Sequence, residues 1–346
     1  MRNLDEIEET VVRYGIDCHF LRGGQLTVAT RPHEVADLDP DDEGFLDAEA
    51  VRAMVDSPTY LAGRHDADEC AVLDPARLAW GLADAAERLG AQIHEHTRLE
   101  GLRRRKGGVD VVTSAGTIRA RRVALATNVF PGPLRRARWW VVPVYDYVLM
   151  TEPLTRAQLD EIGWDPAIGI GDAGNQFHYY RLTQDRRILW GGYDAIYHFG
   201  RSIKDEHYDR RETFETLARH FFETFPPLAG VRFTHRWSGV IDTSTRFCAV
   251  FGRAHGGRTA YAVGFTGLGV GASRFAADVM LDHLSGVETE RTRLTMVRER
   301  PLPFPPEPLS WIGIQLTRWS LAREDETGKR NVWLRAMDRL GLGFDS

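Results

Sequence analysis

The sequence predicts an α+β chain folded into two lobes, and three observations carry that expectation. The first is size with a globular balance: 346 residues, 43% hydrophobic and 27% charged, enough for two domains of ~100–200 residues or one large discontinuous one. The second is a change of texture, from helices and short strands up to Arg138 to aromatic-rich strand candidates from Trp139 onward. The third is a strand, a glycine-rich turn and a helix near the end, Tyr261-Ala-Val-Gly264-Phe-Thr266-Gly267-Leu268-Gly269-Val-Gly271-Ala272-Ser273.

Taken in order, residues 4–14 put Leu4, Ile7, Val11 and Val12 at helical spacing and stop at Gly15, which predicts an opening helix. Residues 20–30 read as a turn and an alternating strand, 39–44 as a solvated loop, and 46–55 as a second helix. Asp74-Pro75 opens a third helix, with Asp74 as cap, Pro75 in the first turn, Leu78, Leu82 and Leu89 along one side and Gly90 at the end. Residues 92–99 alternate as a strand, 108–119 form a hairpin around Ala115-Gly116, and 122–127 form a short buried strand broken by Asn128. Strands are then expected over 141–151, 178–182, 188–193 and 231–241, with a helix over 211–225, which together predict a mixed or antiparallel sheet. A last strand over 259–264 meets the glycine turn and a helix over 272–284, and a proline-rich stretch leads to an apolar tail at 311–319.

Acidic residues outnumber basic ones 49 to 44, so no global positive field favours a nucleic acid partner. Residues 101–140 hold ten Lys/Arg against Asp110 alone, which reads as a solvated hairpin face balanced by thirteen acids in residues 1–50. Cys18, Cys70 and Cys248 are dispersed, without a CxxC pair, and no run approaches a membrane span; a cytoplasmic protein is expected. His94 and His96 share a strand face without a third ligand at useful spacing, so no metal is expected. The motifs of serine hydrolases, zinc proteases and P-loop proteins are missing from the sequence.

Gly267-x-Gly269-x-x-Ala272 has the glycine spacing of a dinucleotide turn, but the acid-tipped strand that should follow it is not there. A strand–turn–helix of this kind can stabilise negative charge on a bound flavin ring, or serve only close strand–helix packing. Gly264-Phe265-Thr266-Gly267-Leu268-Gly269, with Ala126-Thr127-Asn128 after a buried strand and the Asp74-Pro75 helix followed by a strand, resembles the FAD-dependent D-amino-acid and amine oxidoreductases. The resemblance runs from about Asn3 to about Gly286 and is nearest to the branch of glycine oxidase and gamma-glutamylputrescine oxidoreductase.

The resemblance implies an FAD-linked oxidoreductase fold: an incomplete Rossmann-like FAD domain (1–138 and 242–290, with part of the substrate lobe near 15–70), a substrate domain over 139–241, and a C-terminal extension over 291–346. It implies FAD as cofactor, hydride transfer from an amine or amino acid, and dioxygen as an acceptor if the protein is an oxidase. Thr127 and Asn128 fall at the family's strand end near FAD, and Gly264, Thr266, Gly267, Leu268 and Gly269 form the turn facing the flavin. The family opens with a strand, a G-x-G-x-x-G turn and a helix for the ADP half of FAD, whereas three residues precede the first helix here. The alternative expectation is therefore a flavin-free remnant or binding protein of the same fold.

For substrate, Arg246 can clamp a carboxylate or form a surface ion pair. Tyr145, Tyr147 and Tyr179 can line an amine pocket with Trp237 as a wall, or fill a sheet core. Hydride transfer from a neutral amine calls for orientation rather than an obligatory base, so no catalytic residue is assigned. The apolar tail at 311–319 can lie on a membrane surface, but packing onto the body of the protein, or onto a partner subunit in a homo-oligomer, is the expected account.

Overall fold

The computed structural model describes residues 2–130 and 132–342. Its strands in chain order are β1 (Gln25–Ala29), β2 (Phe45–Leu46), β3 (Ala62–Asp66), β4 (Leu99–Arg105), β5 (Gly108–Thr113), β6 (Gly116–Ala120), β7 (Val123–Leu125), β8 (Val141–Thr151), β9 (Gly169–Asp172), β10 (His178–Leu182), β11 (Ile188–Gly192), β12 (Phe233–Ser244), β13 (Val250–Ala254) and β14 (Thr259–Val263). They form an eight-stranded sheet, β12-β8-β11-β10-β9-β1-β3-β2, and two three-stranded sheets, β13-β14-β7 and β4-β5-β6.

The large sheet is amphipathic in cross-section because alternate residues point to opposite faces. On one face Leu149, Trp190, Tyr180, Ile170 and Leu26 stand in register and are buried under helix Arg211–Thr224, which contributes Phe214, Leu217 and Phe221. On the other face Trp237, Val148, Gly191, Tyr179, Gly171 and Thr27 stand in register. The aromatic-rich texture that predicted a sheet is thus mainly the texture of its helix-covered side.

The same covered face buries a polar chain. Asp172 accepts from the Tyr180 hydroxyl at 3.2 Å and sits 2.6 Å from His178 Nδ1, while His178 Nε2 lies 3.0 Å from His220 Nδ1. Burial, with His178 and Arg219 beside it, lowers the His220 pKa from 6.5 to about 4.

In the small parallel–antiparallel sheet, β14 pairs antiparallel with β13 and parallel with β7. Helix Gly269–Ser285 covers one face through Ala276, Val279 and Met280, which meet Phe251, Ala260 and Ala262. Helix Arg2–Tyr14 lies against it: Asn3 Nδ2 donates to the Gly271 carbonyl at 2.9 Å.

Several expectations need correction. Residues 91–98 are not a strand; regular pairing begins at Leu99. An alternating pattern makes a strand only when a neighbour accepts its hydrogen bonds; no described strand pairs with this segment, and its last residue, Arg98, exchanges hydrogen bonds with Ser114. In helix Pro75–Arg88 the apolar side is narrower than expected: Leu78 and Ala85 are buried, whereas Leu82 and, just past the helix, Leu89 are exposed, as is Trp80. In the first helix Ile7 and Val11 are buried but Val12 faces out. The apolar tail becomes helix Leu309–Thr327, whose Asp325 accepts the backbone N–H of Asn175 and Gln176 at 2.9 and 2.8 Å. No helix of the described residues is long and apolar enough to cross a membrane.

The Asp74 carboxylate accepts the N–H groups of Ala76 and Arg77, both at 3.0 Å, and so caps helix Pro75–Arg88. Asp74→Ala is expected to cost about 1 kcal/mol in urea unfolding. His220 binds its proton less readily when folded, so its contribution to stability is present above pH 6.5 and is lost as pH falls toward about 4. The melting temperature of His220→Gln should accordingly depend less on pH across that window than the wild type's.

Candidate functional site

The last turn of the small sheet is built under backbone constraint. Gly264, Thr266 and Gly267 have φ of 82°, 51° and 85°. A β-branched residue at positive φ is a strained conformation held by its surroundings. What holds Thr266 is visible: its N–H donates to the Asp242 carbonyl at 3.1 Å, its hydroxyl donates to the Gly264 carbonyl at 3.1 Å, and it accepts the Ser244 N–H at 3.2 Å. Asp242 completes the arrangement, its carboxylate accepting from the N–H of Gly264 at 2.5 Å and of Phe265 at 3.1 Å. Only 2% of Asp242 is exposed. Burial raises its pKa, and the two backbone donors act in the opposite direction.

Beyond the turn, helix Gly269–Ser285 begins at Leu268 without a side-chain cap. Its first-turn amides have no acceptor inside the helix and carry the positive end of its dipole. Leu268 and Val270 are exposed, and a Cβ placed on Gly271 would meet nothing within 4 Å. A Cβ on Gly267 would lie 3.8 Å from Ile241 Cδ1, so the turn abuts the end of β12.

Thr127 and Asn128 follow β7, and Gly264 follows β14; the two strands run parallel with Leu125 opposite Tyr261, so both loops leave the same end of the pair. That is the end at which open parallel sheets bind ligands. A pocket of about 70 Å³ there is lined by Leu125, Thr127, Asn128, Arg138, Arg201 and Val263 among others. Asn128 has φ of 52° and accepts the Val129 N–H at 2.7 Å.

The substrate candidates separate onto different faces. Tyr145 and Tyr147 are fully buried on the helix-covered side of β8, where Tyr145 accepts the Lys204 N–H at 3.2 Å and Tyr147 donates to the His207 carbonyl at 2.6 Å. Tyr179 and Trp237 lie on the opposite face. The Arg246 guanidinium is turned toward the C-terminal segment, donating to the carbonyls of Met296 and Glu299 at 3.2 and 3.1 Å. Two acids that the sequence reading passed over matter more here. Asp242 fastens the turn, and Asp146 accepts the Tyr179 hydroxyl on the open face. Asp242 immediately precedes Thr243-Ser244, but nothing in its spacing marks a carboxylate that folds onto a turn 22 residues ahead.

With this geometry in view, comparison with known proteins defines the class. Residues 1–283 match the DAO family, described as FAD dependent oxidoreductase, and the chain belongs to that family. It is 27% identical over 296 residues to gamma-glutamylputrescine oxidoreductase of Escherichia coli, an alignment covering 81% of this chain and 65% of that protein. It is 24% identical over 302 residues to the probable oxidoreductase OrdL of Haemophilus influenzae, covering 83% of this chain and 66% of that protein. The chain therefore spans just under two thirds of the length of these curated relatives. In fold it is similar to glycine oxidase from Geobacillus kaustophilus, with a TM-score of 0.70, 18% identity and coverage of 85% of this chain and 80% of that one.

The residues present fit the ring end of FAD. The uncapped helix start, the glycines that leave its approach open and the clasped turn together suit a flat group that gains negative charge. The pocket beside Thr127 is far smaller than the ~300 Å³ of an ordinary ligand cavity, so a ring would lie over the turn rather than inside that pocket. Among the described residues this is the strand–glycine-turn–helix that the sequence singled out.

Asp242→Ala removes the acceptor of two buried amides and is expected to cost about 3 kcal/mol, measured by urea unfolding. Asp242→Asn keeps one acceptor oxygen and should cost less.

Proposed function

We propose that this chain belongs to an enzyme that oxidises an amine or amino acid, with FAD as hydride acceptor and the glycine turn as its ring-binding element. The single observation that carries the reading is the Asp242-clasped turn, which aims an uncapped helix start at the edge of the open sheet face. Family membership and the printed activities of the relatives support the same chemistry.

When bound, FAD takes up the hydride and its electron pair. The amides of Gly267 and Gly269 would stabilise negative charge at the ring end, whereas the Leu268 amide donates to the Phe265 carbonyl at 2.9 Å and closes the turn. Asp242 and Thr266 keep those amides in place, so little reorganisation accompanies charge development. Thr127 and Asn128, at the end of the neighbouring strand, would help hold the cofactor beside the glycine turn. Trp237 and Tyr179, on the open face, orient the carbon that bears the amine. Loss of hydride from the carbon and of a proton from the nitrogen would convert the amine to an imine, which water would hydrolyse to a carbonyl compound and ammonia or an amine; dioxygen, taking the two electrons with two protons to give hydrogen peroxide, would be the acceptor if the protein is an oxidase.

The domain reading is of a piece with this. Residues 139–241 with the strands of 15–70 make the substrate side, and 1–138 with 242–290 the cofactor side. The dispersed free cysteines suit a reducing, cytoplasmic setting.

The test is the visible spectrum of the purified 346-residue chain after FAD is supplied in expression and the excess removed. Flavin absorption near one equivalent per chain, bleached by an amine under argon, is the expected result. Gly267→Val, which forces a branched side chain into positive φ at the turn, should lower flavin retention. A folded, colourless chain would favour the flavin-free alternative.

A further inference from the structure

A surface helix ordinarily turns its apolar stripe to the body of the protein and its polar side to water. Helix Leu309–Thr327 is mounted the other way round. The residues it buries are Ser310, Ser320 and Asp325, whereas Leu309, Ile312, Leu316 and Trp319 are between 36% and 60% exposed. Hydrogen bonds fix that rotation. Arg318 pairs with Asp194, Gln315 Nε2 donates to the Tyr197 carbonyl at 3.2 Å, and Asp325 accepts the backbone N–H groups of Asn175 and Gln176. On an adjoining side Trp333 Nε1 donates to Thr317 Oγ1 at 2.9 Å. Turning the stripe inward would break these bonds and leave their partners unsatisfied.

The outward stripe has the geometry of a helix seam. Positions 309, 312, 316 and 319 follow one another by three, four and three residues, the spacing of apolar positions in a heptad. That spacing is the same read from either end, with its centre midway between Ile312 and Leu316. A two-fold axis at this centre lays two such helices antiparallel, with Leu309 of each against Trp319 of the other and Ile312 against Leu316. Trp311, whose ring lies 6.4 Å from that of the exposed Phe199, widens the apolar surface on one flank. Beyond Trp319 the same side continues with Arg323 and Glu326, which pair with each other at 3.5 Å. The seam thus ends in an ion pair rather than in the run of cationic side chains with which a helix lies on anionic lipid.

We propose that this chain forms a two-fold dimer in which the Leu309–Trp319 stripe of one copy packs antiparallel on that of a second copy. The contact is isologous, the same patch serving on both sides, so it closes at two copies and leaves no stripe free to grow a filament. The polar side of each helix stays fastened to its own chain at residues 175–176, 194 and 197. The dimer does not depend on the amine reading, because the stripe shares no residue with the glycine turn or with the open face of the large sheet.

The test is sedimentation velocity of the full chain over a range of concentrations. Wild type should show a dimer whose share rises with concentration. Ile312→Lys and Leu316→Glu each place a charge in the seam at an exposed position. Each variant should keep the far-ultraviolet circular dichroism of wild type and raise the dimer dissociation constant about thirtyfold or more. Mixing the two variants tests the register. Antiparallel pairing sets the introduced ammonium against the introduced carboxylate at one contact and restores Leu316 against Ile312 at the other, so the mixture should dimerise more strongly than either variant alone. A dimer that either variant leaves at wild-type strength, or a mixture no stronger than its components, overturns the proposal. A wild type that stays monomeric overturns it as well, and flotation of that monomer with phosphatidylcholine vesicles would assign the stripe to a lipid surface instead.

Discussion

The geometry of the site depends on one buried carboxylate. Asp242 stands two residues before the end of a sheet-edge strand and reaches the amides of a turn that follows a strand of a different sheet. The two sheets meet there through hydrogen bonds that fix direction as well as distance, which apolar packing alone would not do. Thr266 tolerates a left-handed backbone because three hydrogen bonds hold it. The start of helix Gly269–Ser285 is aimed as a consequence of that anchoring.

The large sheet divides labour by alternation. Every second residue of β8 and β10 enters a core of tyrosine, tryptophan and phenylalanine under one helix. The residues between them, including Asp146 and Tyr179, form the other face together with Gly171 of β9, Gly191 of β11 and Gly239 of β12. A one-residue slip in β8 would exchange Tyr145 and Tyr147 for Asp146, placing a carboxylate in an aromatic core. Burial of the tyrosines and presentation of the aspartate are therefore consequences of a single register.

The small sheet is more exposed. Among the described residues β7 has one neighbouring strand, β14, and residues 91–98 pair with no strand, while Trp80, Leu89 and Ile93 are exposed. The glycine turn and the strand ends beside it are nonetheless well supported, because Val250, Tyr261 and Val263 pack with Leu125 and Val141 on one side and the helix covers the other. Support for the glycine turn thus comes from the last third of the chain together with Leu125, Val141 and the end of β12.

The sequence by itself determined what depends on neighbours along the chain. The Asp74-Pro75 cap, the Ala115-Gly116 hairpin, the β8 and β10 strands and the glycine turn with its helix follow from periodicity, capping and conformational freedom within a few residues. The family was readable because its mark is an ordered series of such local signals, the Asp74-Pro75 helix, Ala126-Thr127-Asn128 and the glycine turn. Tertiary structure decided which side of a strand faces a helix, and so separated Tyr145 and Tyr147 from Tyr179 and Trp237. It also turned Arg246 toward the C-terminal segment and brought Asp242 onto a turn 22 residues away. It left residues 91–98 without a ladder, because a strand is a relation between segments. Alternation reveals that a strand has two faces; only packing assigns one of them to the core and the other to chemistry.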